Sequence, residues 1–198
     1  MKTRRLKCVV LASLAAMLSM SLAAQEQMID TQRSSLTIHV GKAGLFAVAG
    51  HEHWVNAPFA EGSFNASEPA RVAFRVDARA LKVAPDDKLS SEKQAEVQNT
   101  MHSEVLESQK FPDITFKSTT IQPTQAGRWL VTGDLNLHGQ TRPVQVEVRA
   151  AEGGYKGVAK LKQTDFGIRP VNVGGVVKVK NELEITFSVF PAQNRAAR

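Results

Sequence analysis

The sequence predicts an all-β fold, an antiparallel sheet closed into a barrel with one or two short helices inserted between strands. Three observations predict it. Several segments alternate apolar and polar residues with a period of two, glycine-bearing turn signals separate them, and one stretch, Lys88 to Gln109, carries a helical spacing instead.

In Leu36-Thr37-Ile38-His39-Val40 the residues Leu36, Ile38 and Val40 share one face, with Thr37 and His39 on the other. Successive side chains of a strand point to opposite sides, so this is a half-buried strand. The period recurs over Arg71 to Asp77 (Val72, Phe74, Val76), Trp129 to Leu137 (Trp129, Val131, Leu135, Leu137), Pro143 to Ala150 (Val144, Val146, Val148) and Leu183 to Val189 (Leu183, Ile185, Phe187, Val189). His138-Gly139 and Glu152-Gly153-Gly154 read as hairpin turns between them, as does Gly174-Gly175 further on.

Lys88 to Gln109 breaks the pattern. Val97, Met101 and Val105 recur every four residues, and Ser91 with Gln94 has the spacing of a capping box. Phe111-Pro112 ends the helical stretch, because proline disfavours helical geometry in the residue before it, and Ile114-Thr115-Phe116 opens the next strand. A sheet of many antiparallel strands must protect its edges. Closure into a barrel does so completely, leaving an interior that is packed or holds a ligand.

The first 24 residues read as a cleavable secretory signal. Met1 to Lys7 is a basic n-region, Cys8 to Leu22 a mostly apolar h-region interrupted by Ser13, Ser19 and Ser21, and Ala23-Ala24 the small residues of a cleavage site. The apolar run is shorter than the roughly 20 residues of a bilayer-spanning helix, so cleavage and export are expected rather than stable membrane insertion. Cys8 precedes the apolar run and is badly placed for lipid modification. Without this segment the chain has 21 Lys and Arg against 19 Asp and Glu, a net charge of +2, and no cysteine. The charges are mixed in sign, so no nucleic-acid partner is expected, and thiol, disulfide and cysteine-metal chemistry are excluded. Residues 25–198 are expected to form a single domain around one hydrophobic core.

Several segments together resemble the YceI-like polyisoprenoid-binding family of bacterial periplasmic proteins. They are Ile29-Asp30 with Ser35 to Val40, Glu104 to Phe116 (EVLESQKFPDITF), Thr132 to Val144 (TGDLNLHGQTRPV) and Lys160 to Gly167 with its Asp165-Phe166-Gly167. The resemblance runs from about Met28 to Val189. It implies an extended, lipocalin-like barrel whose tunnel holds a long isoprenoid chain, such as that of a quinone or polyprenyl lipid, with no catalytic residues and no cofactor beyond that ligand.

An isoprenoid tail is all apolar surface and gains about 0.8 kcal/mol for each methylene-sized group removed from water. Tunnel shape and lining then set binding, and the candidate liners are the inward faces: Leu36, Ile38, Val40, Phe74, Val76, Phe116, Trp129, Val131, Leu135 and Phe187. Alternation also allows these residues to pack against one another as a filled core, leaving a surface interaction module. Gly50-His51-Glu52-His53-Trp54 departs from the glycine- and aromatic-rich version expected of the family, and His51, His53 and Trp54 are the head-group candidates. On a strand His51 and His53 lie about 7 Å apart on one face, a spacing open to a shared metal ion or haem. A metal site needs further ligands, from His39, His102, His138, Glu52 or Glu104.

The chain has no Gly-x-Ser-x-Gly elbow, no His-Glu-x-x-His and no phosphate-cradling glycine loop, and is expected to bind rather than catalyse. The expected partner is an isoprenoid or related lipid. Whether the barrel pairs into a homodimer is left open by the sequence.

Overall fold

The computed structural model describes residues 26–43, 52–68, 70–173 and 177–193. The proposed signal, residues 1–24, lies outside them, as do His51 and Gly174-Gly175. The strands are β1 (Gln27–Met28), β2 (Ser35–Ala43), β3 (His53–Asn56), β4 (Phe59–Asn65), β5 (Arg71–Asp77), β6 (Lys82–Val83), β7 (Asp113–Gln125), β8 (Arg128–Leu137), β9 (Gln140–Ala151), β10 (Gly154–Lys162), β11 (Asn172–Val173) and β12 (Val177–Val189). Helix α1 (Ser91–Thr100) continues into a π-helical turn, Met101–Val105. Among the described residues no helix is long and apolar enough to cross a membrane.

All twelve strands belong to one sheet, ordered β1-β4-β5-β7-β8-β9-β10-β12-β2-β3-β6 with β11 beside β12, and every pairing is antiparallel. The long ladders from β5 to β2 make a curled half-barrel, and short ones complete its circuit. The chain from His53 to Asn65 bends at Ala57-Pro58: its first half pairs with β2 and β6, its second with β5. At the opposite end β1 fills the gap, pairing with β4 while Ile29 bridges to Pro191 beyond β12. Proline at the bend costs no ladder bond, since the neighbouring Ala57 N–H extends the β2 pairing to the Leu36 carbonyl at 2.9 Å.

The alternating segments all fall within strands. Cross-strand pairs align the apolar faces, as in Leu36 opposite Phe187, Ile38 opposite Ile185 and Val40 opposite Leu183. The β8–β9 turn puts His138 and Gly139 at φ +52° and +71°, the left-handed pair that a two-residue hairpin requires.

The helical insert lies between β6 and β7, as the sequence indicates. Its cap differs by one residue: Ser90, not Ser91, is the N-cap, accepting from the Lys93 amide at 3.4 Å. Gln94 forms no capping box, because its amide donates instead to the carbonyls of Asp86 and Leu89, folding the preceding loop against the helix. Met101, Leu106, Leu81, Leu137, Phe166 and Ile168 are buried where the insert and the 3₁₀ turn Gln163–Phe166 cover this end of the barrel.

Candidate functional site

The strand faces turned inward do not fill the barrel. They enclose a cavity of about 640 Å³, within the range of small-ligand sites. Leu36, Ile38 and Val40 line it from β2, Phe74 and Val76 from β5, Phe116 from β7, Trp129, Val131 and Leu135 from β8, and Phe187 from β12. All ten of the sequence-derived lining candidates therefore face one hollow space, and the filled-core alternative does not describe this interior. From the insert, Val97, Met101 and Val105 close the wall.

Aromatic rings lie along the wall rather than across the space. Phe74 packs edge-on against Phe59 at 5.3 Å and stacks on Phe116 at 5.4 Å between ring centres. The Phe116 ring occupies the place where a side chain at Gly133 would begin, 2.5 Å from a Cβ built there, and the Phe187 ring lies likewise over Gly157. Two inward-facing glycines thus keep two large rings flat.

The polar lining side chains fall at two ends. Near α1 are Lys42, His53, Lys93, Glu96 and Thr100, with Lys93 Nζ paired to Glu96 Oε2 at 2.6 Å, and from the 3₁₀ turn at the same end Gln163, whose Nε2 donates to the Lys180 carbonyl at 2.8 Å. Near the β4–β5 hairpin are Asn65 and Arg71, beside an aromatic group in which Tyr155 meets Phe64 at 5.5 Å and Trp129 at 5.8 Å. The strand from Arg71 to Asp77 alone covers roughly 20 Å, so the hollow is elongated.

The histidine-rich segment divides. His53 lines the cavity, whereas Trp54 is on the outer face, 47% exposed and stacked on His39 at 4.3 Å. Alternation along β3 turns His53 and Val55 inward and so sends Trp54 out, away from any ligand in the hollow. His39 Nε2 meets Glu52 Oε2 at 3.2 Å on that outer face. His102 lies between Gln98 (2.6 Å) and Ser108 (3.2 Å), and His138 bonds Glu107. Among the described residues no three His, Cys, Asp or Glu side chains form a metal-holding group, and His51, one of the two histidines on which the metal alternative rests, lies outside them.

Gln98 fastens the helix to the barrel rim. Its Oε1 accepts from the Val83 amide at 2.8 Å, and its Nε2 donates to the Leu81 carbonyl at 3.0 Å. The other strong charge group sits outside the cavity: Arg75 spans Glu61 (2.9 Å) and Asp113 (3.3 Å), and hydrogen bonds from the Arg79 side chain and backbone hold the Asp77 carboxyl down to about 2.

Tyr155, Gly157, Ala159 and Leu161 form an inward face on β10 that alternation alone did not single out. Two of the four are too small to give the pattern contrast. Gly133, which seats the Phe116 ring, interrupts an otherwise apolar register and is recognisable only once the ring is seen over it.

Fold and hollow together define a class, an antiparallel barrel enclosing an elongated apolar cavity. The chain belongs to the YceI-like domain family, whose model matches residues 28–190. A UPF0312 protein of Vibrio cholerae is 26% identical over 192 residues, covering 90% of this chain and 97% of the relative. The fold resembles that of Burkholderia cenocepacia BcnA, with a TM-score of 0.62 and 17% identity over 83% of this chain and 99% of that one. It also resembles a polyisoprenoid binding domain from Saccharophagus degradans implicated in plant cell wall breakdown, with a TM-score of 0.52 and 14% identity over 83% and 96% of the two chains.

Proposed function

We propose that this protein is a periplasmic carrier that holds the tail of an isoprenoid lipid, of the polyprenyl or quinone type, inside the barrel. One observation carries the reading: a single elongated cavity collects the apolar faces of the strands and has polar side chains only toward its ends. An apolar chain entering it gains about 0.8 kcal/mol per buried methylene-sized group, so a few isoprene units offset the cost of immobilising the ligand. The family membership and the likeness to a polyisoprenoid binding domain support the choice of ligand. The activity is binding, with no bond made or broken.

The same reading takes residues 1–24 as a signal removed on export, which the basic run followed by an apolar one supports. In the aqueous space beside a membrane a water-insoluble lipid needs a shielded place, and the barrel supplies one.

Transfer tests the proposal. Delipidated protein incubated with vesicles carrying ubiquinone or a polyprenol, then separated from them, is expected to take lipid away. Val131→Trp, which puts a large side chain into the hollow, is expected to take little. Equal uptake by the two proteins, or none by the parent, contradicts the reading. N-terminal sequencing of protein from a periplasmic fraction tests export: a first residue at or near position 25 supports it, and Met1 refutes it.

A further inference from the structure

We propose that the hairpin end of the cavity, between β4 and β5, binds an anionic head group, a phosphate or carboxylate carried on the apolar chain. The proposal rests on the lipid-binding reading and adds to it the charge of the head and the end of the barrel where it sits.

Three polar side chains stand at that end, each able to donate hydrogen bonds. Asn65 and Arg71 are direct cross-strand partners. Asn65 is buried and its Oδ1 accepts from the Ser67 amide at 2.9 Å, which fixes the orientation of the group and leaves the Nδ2 protons without a partner among the described residues. Arg71 lines the cavity and has no ion pair or hydrogen bond to its side chain among the described residues. Tyr155 is held by its ring contacts with Phe64 and Trp129, and its hydroxyl has no hydrogen-bond partner among the described residues. An arginine fork with two neutral donors suits phosphate or carboxylate oxygens.

The helix end is less suited to an anion. Glu96, the one acid among the described lining side chains, sits there and is paired with Lys93. Lys42 and His53 are not free. The insert also lies over that end, so a head group beneath it would have to displace existing contacts. With the head at Arg71, the tail runs toward Met101 and Val105.

The chain has two tryptophans, and Trp54→Phe leaves Trp129, at the hairpin end, as the sole tryptophan, excited selectively over tyrosine at long wavelength. In that background geranylgeranyl phosphate and geranylgeraniol are titrated while Trp129 emission is followed, and palmitate and hexadecanol repeat the comparison for a carboxylate. At least one anion is expected to bind about tenfold more tightly than its alcohol, with the preference weakening in high salt. Arg71→Glu is expected to abolish the preference while leaving geranylgeraniol binding intact, and Arg71→Lys to retain part of it. Arg71 is exposed, so neither variant is expected to lose its fold, and unfolding curves check this. Equal binding of anions and alcohols overturns the head-group site but leaves the lipid reading standing. A preference lost in Lys93→Ala rather than Arg71→Glu moves the head to the helix end and overturns the site. Failure of every ligand to bind the parent overturns both.

Discussion

Glu107 and His138, the non-glycine residues with left-handed backbones among those described, at φ +43° and +52°, are bonded to each other through His138 Nε2 and Glu107 Oε2 at 2.8 Å. The His138 ring also faces the Phe166 carbonyl through Nδ1 at 3.3 Å and packs on Phe111 at 4.4 Å. A carboxylate oxygen thus faces one ring nitrogen and a backbone carbonyl oxygen the other. The exit from the helical insert, the β8–β9 turn and the 3₁₀ turn Gln163–Phe166 are thereby joined at one point.

This arrangement predicts an unusual order of variants. His138→Ala loses the bonds and keeps the left-handed strain, and is expected to cost about 1–3 kcal/mol. His138→Gly loses the same bonds but relieves the strain, and is expected to be less damaging by about 1 kcal/mol. Urea midpoints give the order, and a glycine variant less stable than the alanine one contradicts the account.

Gly133 predicts a coupling between wall and cavity. A Cβ there would lie 2.5 Å from the Phe116 ring and 2.6 Å from the Lys117 carbonyl oxygen. Gly133→Ala is expected to cost about 1–3 kcal/mol through overpacking and to push the ring into the hollow, weakening long-chain ligands. Adding Phe116→Leu makes room and is expected to restore part of both losses. Additive losses in the double variant count against the coupling.

Gln98 predicts how the helix is held. Its replacement by alanine leaves the Val83 amide and the Leu81 carbonyl without the partners they have now. A cost of about 1–3 kcal/mol is expected, with faster hydrogen exchange at Val83 and through α1. Unchanged exchange at Val83 shows that the strap does not hold the rim.

Asp77 predicts a feature of acid unfolding. Its carboxyl is held down to about 2 from an ordinary value of 3.8, first by the Arg79 side chain and then by the Arg79 amide. A carboxyl depressed in the fold adds stability above its unfolded value and loses it as pH falls through the folded one, so the loss spans about pH 4 to pH 2. The pair is solvent-exposed and its contribution modest. Asp77→Asn is expected to flatten the dependence of the urea midpoint on pH in that window. An unchanged slope refutes the assignment.

The fold was legible wherever one strand face is apolar and the other wet. Arg71 to Asp77 is a strand to the residue, and Leu183 to Val189 ends where the ladder ends. The period fails at β4, where a register shift between Phe59 and Glu61 puts Phe59 and Phe64, both buried, five positions apart. It fails over the outer half of β7, where exposed residues and two register shifts leave no apolar face to read. The cavity-facing positions were legible from alternation, but the hollow was not, because a packed and an empty interior impose the same pattern on each strand. The polar hairpin end was hidden for another reason: Asn65 and Arg71 sit where the strands turn, and alternation alone would send Arg71 outward.

Native mass spectrometry of the protein purified gently from its own cells tests the central claim most directly. The account predicts a bound species released on activation, with the mass of an isoprenoid lipid, and its return when stripped protein is incubated with a quinone or polyprenol. Protein that is uniformly empty as isolated, and stays empty after both incubations, contradicts it.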